Sequence, residues 1–260
     1  MHLSVVIPVK NEADNIAPLF QEICIALGGF TDYEVLFVDD GSEDATAASV
    51  LRLGGDRPRW RLLRHAKSYG QSAALRTGVK AARGVWIATL DGDGQNDPGD
   101  IPKLLHLARM SSPRLPVLVA GHRVNRQDSW SKRSASSIAN ALRGWLLGDH
   151  TPDTGCGLKL FPRSLFLDLP YFDHMHRFLP ALVLREGGTV RSVSVNHRPR
   201  RSGVSKYGVF DRLRVGIIDL FGVMWLQHRA ALPHFFEEAT NEARASSPSA
   251  VLRRCDADKE

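Results

Sequence analysis

Apolar and polar positions along the chain fall into alternating blocks of two kinds. Leu3–Val9 is a short continuous apolar run closed by the polar Lys10-Asn11-Glu12, the pattern of a strand buried on both faces. After it, Ile16, Leu19, Phe20, Ile23 and Leu27 recur at steps of three and four, which predicts a helix stopped by Gly28-Gly29. A strand at Glu34–Val38 with an Asp-Asp-Gly-Ser turn and an alanine-rich helix to Leu53 follow. A weaker strand at Arg61–Leu63, a helix at Gln71–Ala82 ended by Gly84, and strands at Val85–Leu90 and Leu115–Ala120 complete the first 125 residues. Strands alternating with helices predict an α/β fold, a parallel sheet with helices on both faces.

The second half is less regular. The pattern predicts helices at Ser134–Leu147, His176–Glu186 and Val209–Gln227, and strands at Leu158–Phe161 and Val190–His197. Arg198–Gly208, rich in Gly, Pro and Ser, reads as a loop, and the polar residues 231–260 as a frayed or disordered tail. The helix Val215–Leu226 is apolar around most of its circumference, so it either packs in the core or lies on a membrane or partner.

The net charge of +6 is unevenly distributed. Arg191–Arg214 holds seven bases and one acid, and Arg123–Trp145 five bases and one acid, so the rest of the chain is net negative. Three widely spaced cysteines (24, 156, 255) exclude a disulfide framework and a zinc-ligand pattern, and suit a reducing compartment. No signal peptide is recognisable before the first strand, and no uncharged apolar run approaches the roughly 18 residues of a membrane span. Nucleic-acid binding is set aside because the bases do not interleave with aromatics as in a stacking platform.

Ligands of open parallel sheets bind beyond the carboxyl ends of the strands. Three acidic clusters stand at such ends: Asn11-Glu12, Asp39-Asp40 and Asp91-Gly92-Asp93. Two carboxylates one residue apart on a turn can both reach one hard divalent cation, Mg²⁺ or Mn²⁺, which is usually held by one or two carboxylates plus substrate phosphates. Gly92 and Gly94 would let the backbone approach a bulky ligand, and Gln95 could add an amide contact. There is no P-loop, no dinucleotide fingerprint and no nucleophile elbow.

VVIPVKNE, FVDDGSEDAT, GQSAALRTG, TLDGDGQNDP, DTGCGLKLF and RRSGVSKYG occur in this order. Together they resemble a family-2 glycosyltransferase with a GT-A fold, most closely the dolichol-phosphate mannosyltransferase-like branch acting on polyprenyl phosphates. The resemblance spans Leu3 to Trp225. It implies a Rossmann-like, mostly parallel sheet over residues 1–230, with a nucleotide-sugar-binding half (1–125) and an acceptor half (126–230). It also implies a metal-dependent, inverting transfer of a mannose- or glucose-type hexose from a nucleotide-diphosphate sugar to dolichyl or undecaprenyl phosphate.

By motif, Pro8, Lys10 and Glu12 match the first nucleotide-contacting loop, and Asp39 and Asp40 the pair in which one acid meets base or ribose. Asp91, Asp93 and Gln95 match the metal and diphosphate site, with Asp93 in a catalytic role. Arg200 and Lys206 match the basic loop that closes over the diphosphate and the acceptor phosphate; Arg123 and Arg133 match basic positions of the acceptor region. Lys10 stands where tyrosine is common, and Gly92 and Gly94 replace Ala and Leu, which bears on the nucleotide base. The Q-x-x-R-W motif of processive synthases is absent.

A phosphate monoester, with a second pKa near ~6, is largely dianionic at neutral pH and needs no general base. Asp153 is the candidate base if the acceptor is instead a hydroxyl of a glycan or glycolipid; a nucleotide-sugar-binding protein without turnover is a further alternative. Cys156, between Gly155 and Gly157, reads as a small filler in a tight turn, and His174 and His176 as surface loop histidines. The expected location is cytoplasmic, peripheral at the cytoplasmic face of a membrane, with room for a homo-oligomer or a membrane partner subunit.

Overall fold

The computed structural model describes residues 2–54, 59–112, 115–124, 143–199 and 209–231, with only the backbone of 209–215. Seven strands, β1 (Leu3–Val9), β2 (Tyr33–Asp39), β3 (Arg59–Arg64), β4 (Trp86–Thr89), β5 (Val117–Arg123), β6 (Lys159–Pro162) and β7 (Thr189–Val195), form one sheet in the order β3-β2-β1-β4-β6-β5-β7. The register runs Leu3↔Tyr33 to Val9↔Asp39 between β1 and β2, and all pairings are parallel except those of β6 with β4 and β5. The expected strands are all present, and the sheet is mostly parallel as the periodicity predicts. Direction is what a four-residue apolar run cannot show, and β6 runs against both neighbours.

Helices α1 (Ala13–Ala26), α2 (Thr46–Leu51), α3 (Gln71–Ala81), α4 (Ile101–Arg109), α5 (Arg163–Asp168), α6 (Leu179–Arg185) and α7 (Val209–His228) cover both faces. Alternation along β1 divides the core: Leu3, Val5, Ile7 and Val9 meet α1 and α4, whereas Val6 faces the side packed by α3, α5 and α6. Helix α4 was not anticipated from the sequence, although Ile101, Leu104, Leu105 and Ala108, all buried, have helical spacing. The expected helix from His176 to Glu186 is broken into a 3₁₀ turn at Met175–Arg177 and α6, whose first turn carries Pro180.

The last helix packs on the core along one side, as the first alternative has it, and leaves its other side exposed. Val223 is buried, with Leu220, Met224 and Leu226 packed on the core, whereas Ile217, Ile218, Phe221 and Trp225 are exposed, Trp225 by 61%. Residues 1–230 form one compact unit, and 231–260 another that lies almost entirely outside the described residues.

Strand β1 is fastened at its start by a buried carboxylate. Glu34 accepts from Ser4 Oγ (2.7 Å), Arg83 N–H (2.7 Å) and Arg61 Nη1 (3.3 Å), and Ser4 Oγ in turn accepts from Gly84 N–H (2.8 Å). Removing the acceptor leaves the buried Ser4 hydroxyl and the Arg83 N–H without this partner, and Arg61 without its ion pair. Glu34→Ala is therefore expected to lower unfolding free energy by about 3 kcal/mol in urea titrations, and Glu34→Gln by less.

Candidate active site

Because six strands point the same way, their carboxyl ends share one edge of the sheet. That edge carries Lys10-Asn11-Glu12 after β1, Asp39-Asp40 at the end of β2, Asp91–Asp97 after β4, Arg123 closing β5 and His197-Arg198 after β7. Antiparallel β6 brings its amino end, Gly157 and Lys159, to the same edge. The first two clusters are tied together: Asn11 N–H donates to Ser42 Oγ (2.9 Å), Glu43 N–H to Asn11 Oδ1 (2.9 Å) and Glu12 N–H to Thr46 Oγ1 (2.8 Å).

Asp39 and Asp40 are buried and committed to the protein's own donors. Asp39 accepts from Ser42 N–H (2.9 Å) and Arg64 Nε (3.3 Å). Asp40 accepts from Tyr69 N–H, Gly70 N–H and Ser68 Oγ and pairs with His65 Nδ1 (2.7 Å). Burial alone would raise the Asp40 carboxyl, but these donors, led by Tyr69, outweigh it and hold it below its usual value. The pair thus clamps the segment that leads into α3.

Asp91 lies at the centre of the edge. Gln71 Nε2 donates to its Oδ1 (2.9 Å), and its carboxylate packs against Gly157, where an added Cβ would overlap it. Burial first, and then the charge of Asp93, push the Asp91 carboxyl up to about 6, against the opposing fields of Lys159 and Arg123. Since this lies above an unfolded value near ~3.9, ionised Asp91 costs stability above about pH 6, and that cost fades as pH falls towards 4. The glycines beside it have structural reasons of their own. A Cβ at Gly92 would strike Val9 Cγ1 at 2.7 Å, and Gly94 adopts φ +72°. Gln95 holds the loop's far side: its Nε2 lies 3.4 Å from the Arg198 carbonyl, and its own carbonyl accepts from Arg198 N–H (3.0 Å).

Cations occupy the opposite side. Arg123 makes a two-pronged ion pair with Asp153, Nε to Oδ2 at 2.6 Å and Nη2 to Oδ1 at 2.8 Å. Lys159, 4% exposed, directs its ammonium at the carbonyls of Thr154 (3.2 Å) and Cys156. Burial depresses the Lys159 amine, whereas the fields of Asp91 and Asp153 favour its charge. Cys156 is buried, and that burial pushes its thiol up to about 11. A cavity of about 460 Å³ is bounded by Pro8, Gln71, Asp91, Arg123, Lys159 and His176, among others.

The edge thus brings Pro8, Asp91 and Arg123 to the cavity, with Asp93 and Gln95 on the adjoining loop. Arg133, Arg200 and Lys206 lie outside the described residues. Arg198, two positions before Arg200, is anchored by ion pairs to Glu22 (2.6 Å) and Asp97 (2.8 Å). The sequence reading missed Gln71, Lys159 and Arg177. His176 is corrected: it is no surface histidine but packs into the cavity wall, with Nδ1 2.7 Å from buried Ser72 Oγ. Its signal lay in the break of helical pattern before Pro180. Asp153, the candidate base, has both oxygens engaged by Arg123, an arrangement for positioning a cation.

Two oxygen-donor side chains on one loop, one with its carboxyl raised by burial and then by the other, are the residue types that suit Mg²⁺ or Mn²⁺; among the described residues no group of three or more His, Cys, Asp or Glu is placed to hold a metal ion. Asp91 and Asp93 would hold the ion, and Gln95 stands beside them. Gly157→Ala, which displaces the Asp91 carboxylate, should weaken Mn²⁺ affinity at least about tenfold in calorimetry. The melting temperature should shift by only a few degrees.

Comparison with known proteins agrees with this geometry. A model described as Glycosyl transferase family 2 matches residues 4–169. The dodecaprenyl-phosphate galacturonate synthase of Rhizobium johnstonii is 37% identical over 242 residues, covering 91% of this chain and 70% of that protein. The undecaprenyl-phosphate 4-deoxy-4-formamido-L-arabinose transferase of Edwardsiella ictaluri is 34% identical, covering 80% of this chain; the chain spans 63% of its length. Glucosyl-3-phosphoglycerate synthase from Mycobacterium tuberculosis, crystallised with Mn²⁺, uridine diphosphate and glucosyl-3-phosphoglycerate, superposes with TM-score 0.64 at 19% identity, over 90% of this chain and 81% of that one. The same enzyme with Mg²⁺ and uridine diphosphate also gives 0.64, which shows a GT-A-like fold. This chain belongs to glycosyl transferase family 2.

Proposed function

We propose that this chain transfers a sugar from a nucleotide-diphosphate donor to a polyprenyl phosphate. The observation that carries this is the cavity, with Asp91 on one side and Arg123, Lys159 and Arg177 on the other. The two similar curated proteins named above act, by their names, on dodecaprenyl and undecaprenyl phosphate. Their sugars, galacturonate and a formamido-arabinose, widen the range of donors beyond the mannose and glucose types the motifs suggest.

The chemistry of an inverting transfer suits these residues. An acceptor phosphate oxygen attacks the anomeric carbon while the bond to the donor's β-phosphate oxygen breaks and the nucleoside diphosphate leaves. When bound, a divalent cation supplies charge neutralisation to that leaving diphosphate. Arg123, held rigid by Asp153, presents positive charge to the incoming phosphate. Arg200 and Lys206 would add to it, on a segment that begins where Arg198 is pinned to the Asp91–Asp97 loop. A dianionic phosphate requires no proton removal, so no carboxylate need act as base.

The exposed face of α7 gives the lipid a surface to meet. Ile217, Ile218, Phe221 and Trp225 stand out from this helix, and Trp145, 73% exposed, lies on the segment whose Leu147 carbonyl accepts from Gln227 Nε2 (2.9 Å). Among the described residues no helix is long and apolar enough to cross a membrane, and an exposed apolar helix face of this kind suits contact along a membrane interface.

Incubation with Mg²⁺ or Mn²⁺, a panel of GDP- and UDP-sugars including uronates, and a polyprenyl phosphate should give a chloroform-soluble labelled product. No product from any donor would overturn the proposal. In the same assay Asp153→Asn should retain turnover to within about a hundredfold, whereas a loss beyond ~10³ would make Asp153 a general base. Separately, the double substitution Phe221→Glu and Trp225→Glu should abolish co-flotation with anionic liposomes while leaving the melting temperature nearly unchanged. Unchanged flotation would remove α7 as the membrane face.

A further inference from the structure

Among the described residues His176 is the one imidazole of the cavity wall, and its hydrogen bonds specify which ring nitrogen carries the proton. Ser72, at the start of α3, is wholly buried. Its Oγ accepts the backbone N–H of His176 (3.2 Å) and lies 2.7 Å from His176 Nδ1. Among the described residues the Ser72 hydroxyl has no other hydrogen-bond partner. A hydroxyl has one proton to donate, and leaving it unmatched in a buried site costs about 1–3 kcal/mol. If Nδ1 carried the proton, that hydroxyl would have nowhere to donate. Ser72 therefore donates to Nδ1, and the ring's proton resides on Nε2.

Nε2 has no partner among the described residues, on a side chain that lines the cavity. The ring also stays uncharged: burial first, then the charges of Lys159, Arg177 and His174, push the imidazole down to about 3. All three named charges are like charges and disfavour the protonated ring, while the carboxylate that shares the cavity wall is Asp91. At working pH His176 is thus a neutral donor with fixed direction, in a wall whose other donors include the cations Arg123, Lys159 and Arg177.

We propose that His176 is a substrate-positioning residue, presenting its Nε2–H, oriented by Ser72, to an oxygen of the bound substrate. That oxygen is a hydroxyl of the transferred sugar or an oxygen of the acceptor phosphate; both offer lone pairs to a neutral donor. The assignment of the substrate rests on the transferase proposal above, but the tautomer does not. A fixed, uncharged donor selects for an acceptor atom at one point without adding charge to the cavity, which the surrounding cations could not do.

The two parts are tested separately. In ¹⁵N-histidine long-range correlation spectra of the full chain, His176 should show the neutral Nε2–H pattern from pH 8 down to pH 5, and Ser72→Ala should disturb it. A charged ring, or an Nδ1–H tautomer, would overturn the inference whether or not transfer is ever observed. In the transfer assay, glutamine places an amide N–H near the Nε2 position and asparagine places it near Nδ1. His176→Gln should keep kcat/KM within about threefold of the parent, and His176→Asn should lose at least about tenfold at an unchanged melting temperature. If asparagine serves as well as glutamine, the role is structural and the proposal fails. A defect in KM for the lipid phosphate places the oxygen on the acceptor, whereas weaker binding of the nucleotide-sugar alone places it on the donor; variants affected in neither would also refute it.

Discussion

A half-buried carboxylate just past β4 is the constraint around which the rest of this edge is arranged. Asp91 stands in low-dielectric surroundings next to a second acid, and its ionised form is disfavoured there. Four features make the position tolerable. Gln71 reaches across from α3 to donate to it, Gly157 leaves it room, and Lys159 and Arg123 direct a positive field at it. They come from three elements, α3, β5 and the amino end of β6, so the sheet order and the helix placement are all recruited by one side chain. An arrangement that only partly offsets a charge is what a site for a cation and a phosphate-bearing ligand requires.

Lys159 shows how sheet topology produces chemistry. Its Cα is in register with Thr89 on β4 and with Ala120 on β5, which places it between the strands that end in Asp91 and Arg123. If β6 ran parallel to its neighbours, its first residue would lie at the opposite edge. The antiparallel strand therefore contributes an ammonium, and the Gly157 that accommodates Asp91, to a site otherwise built from strand carboxyl ends.

Much of this was legible in the sequence. The apolar run Leu3–Val9 gives β1 its full extent, and the position of Asp91-Gly92-Asp93 after an apolar strand marks the edge. Helix α4 was legible too, in the spacing of Ile101, Leu104, Leu105 and Ala108, but Pro98-Gly99-Asp100 in front of it reads as a turn. Lys159 and His176 were not. A lysine inside Gly-Leu-Lys-Leu-Phe looks like an ordinary surface charge, and only tertiary closure shows its ammonium meeting the carbonyls of Thr154 and Cys156. The partner of His176 is Ser72, more than a hundred positions away, a separation no local pattern encodes. Asp39 and Asp40 lie at the sheet edge where their place in the sequence suggests, and the structure adds partners for them that no local pattern encodes: Ser42, Arg64, His65, Ser68, Tyr69 and Gly70.

The pairing of β5 with β6 has an evolutionary corollary. The chain departs the sheet after Arg123 and re-enters at Lys159, and these two points are close, since Gly121 N–H bonds to the Leu158 carbonyl at 2.9 Å. Whatever is inserted between them begins and ends at the mouth of the cavity. Closing such an excursion costs only about 0.6 kcal/mol more for each doubling of its length. Changes of length between Val124 and Asp153 therefore leave Asp153 and Gly157, which hold Arg123 and accommodate Asp91, in place while they alter what approaches the cavity. The seven strands and the acid at their edge need not be renegotiated, and variation in substrate becomes separable from the inheritance of the fold.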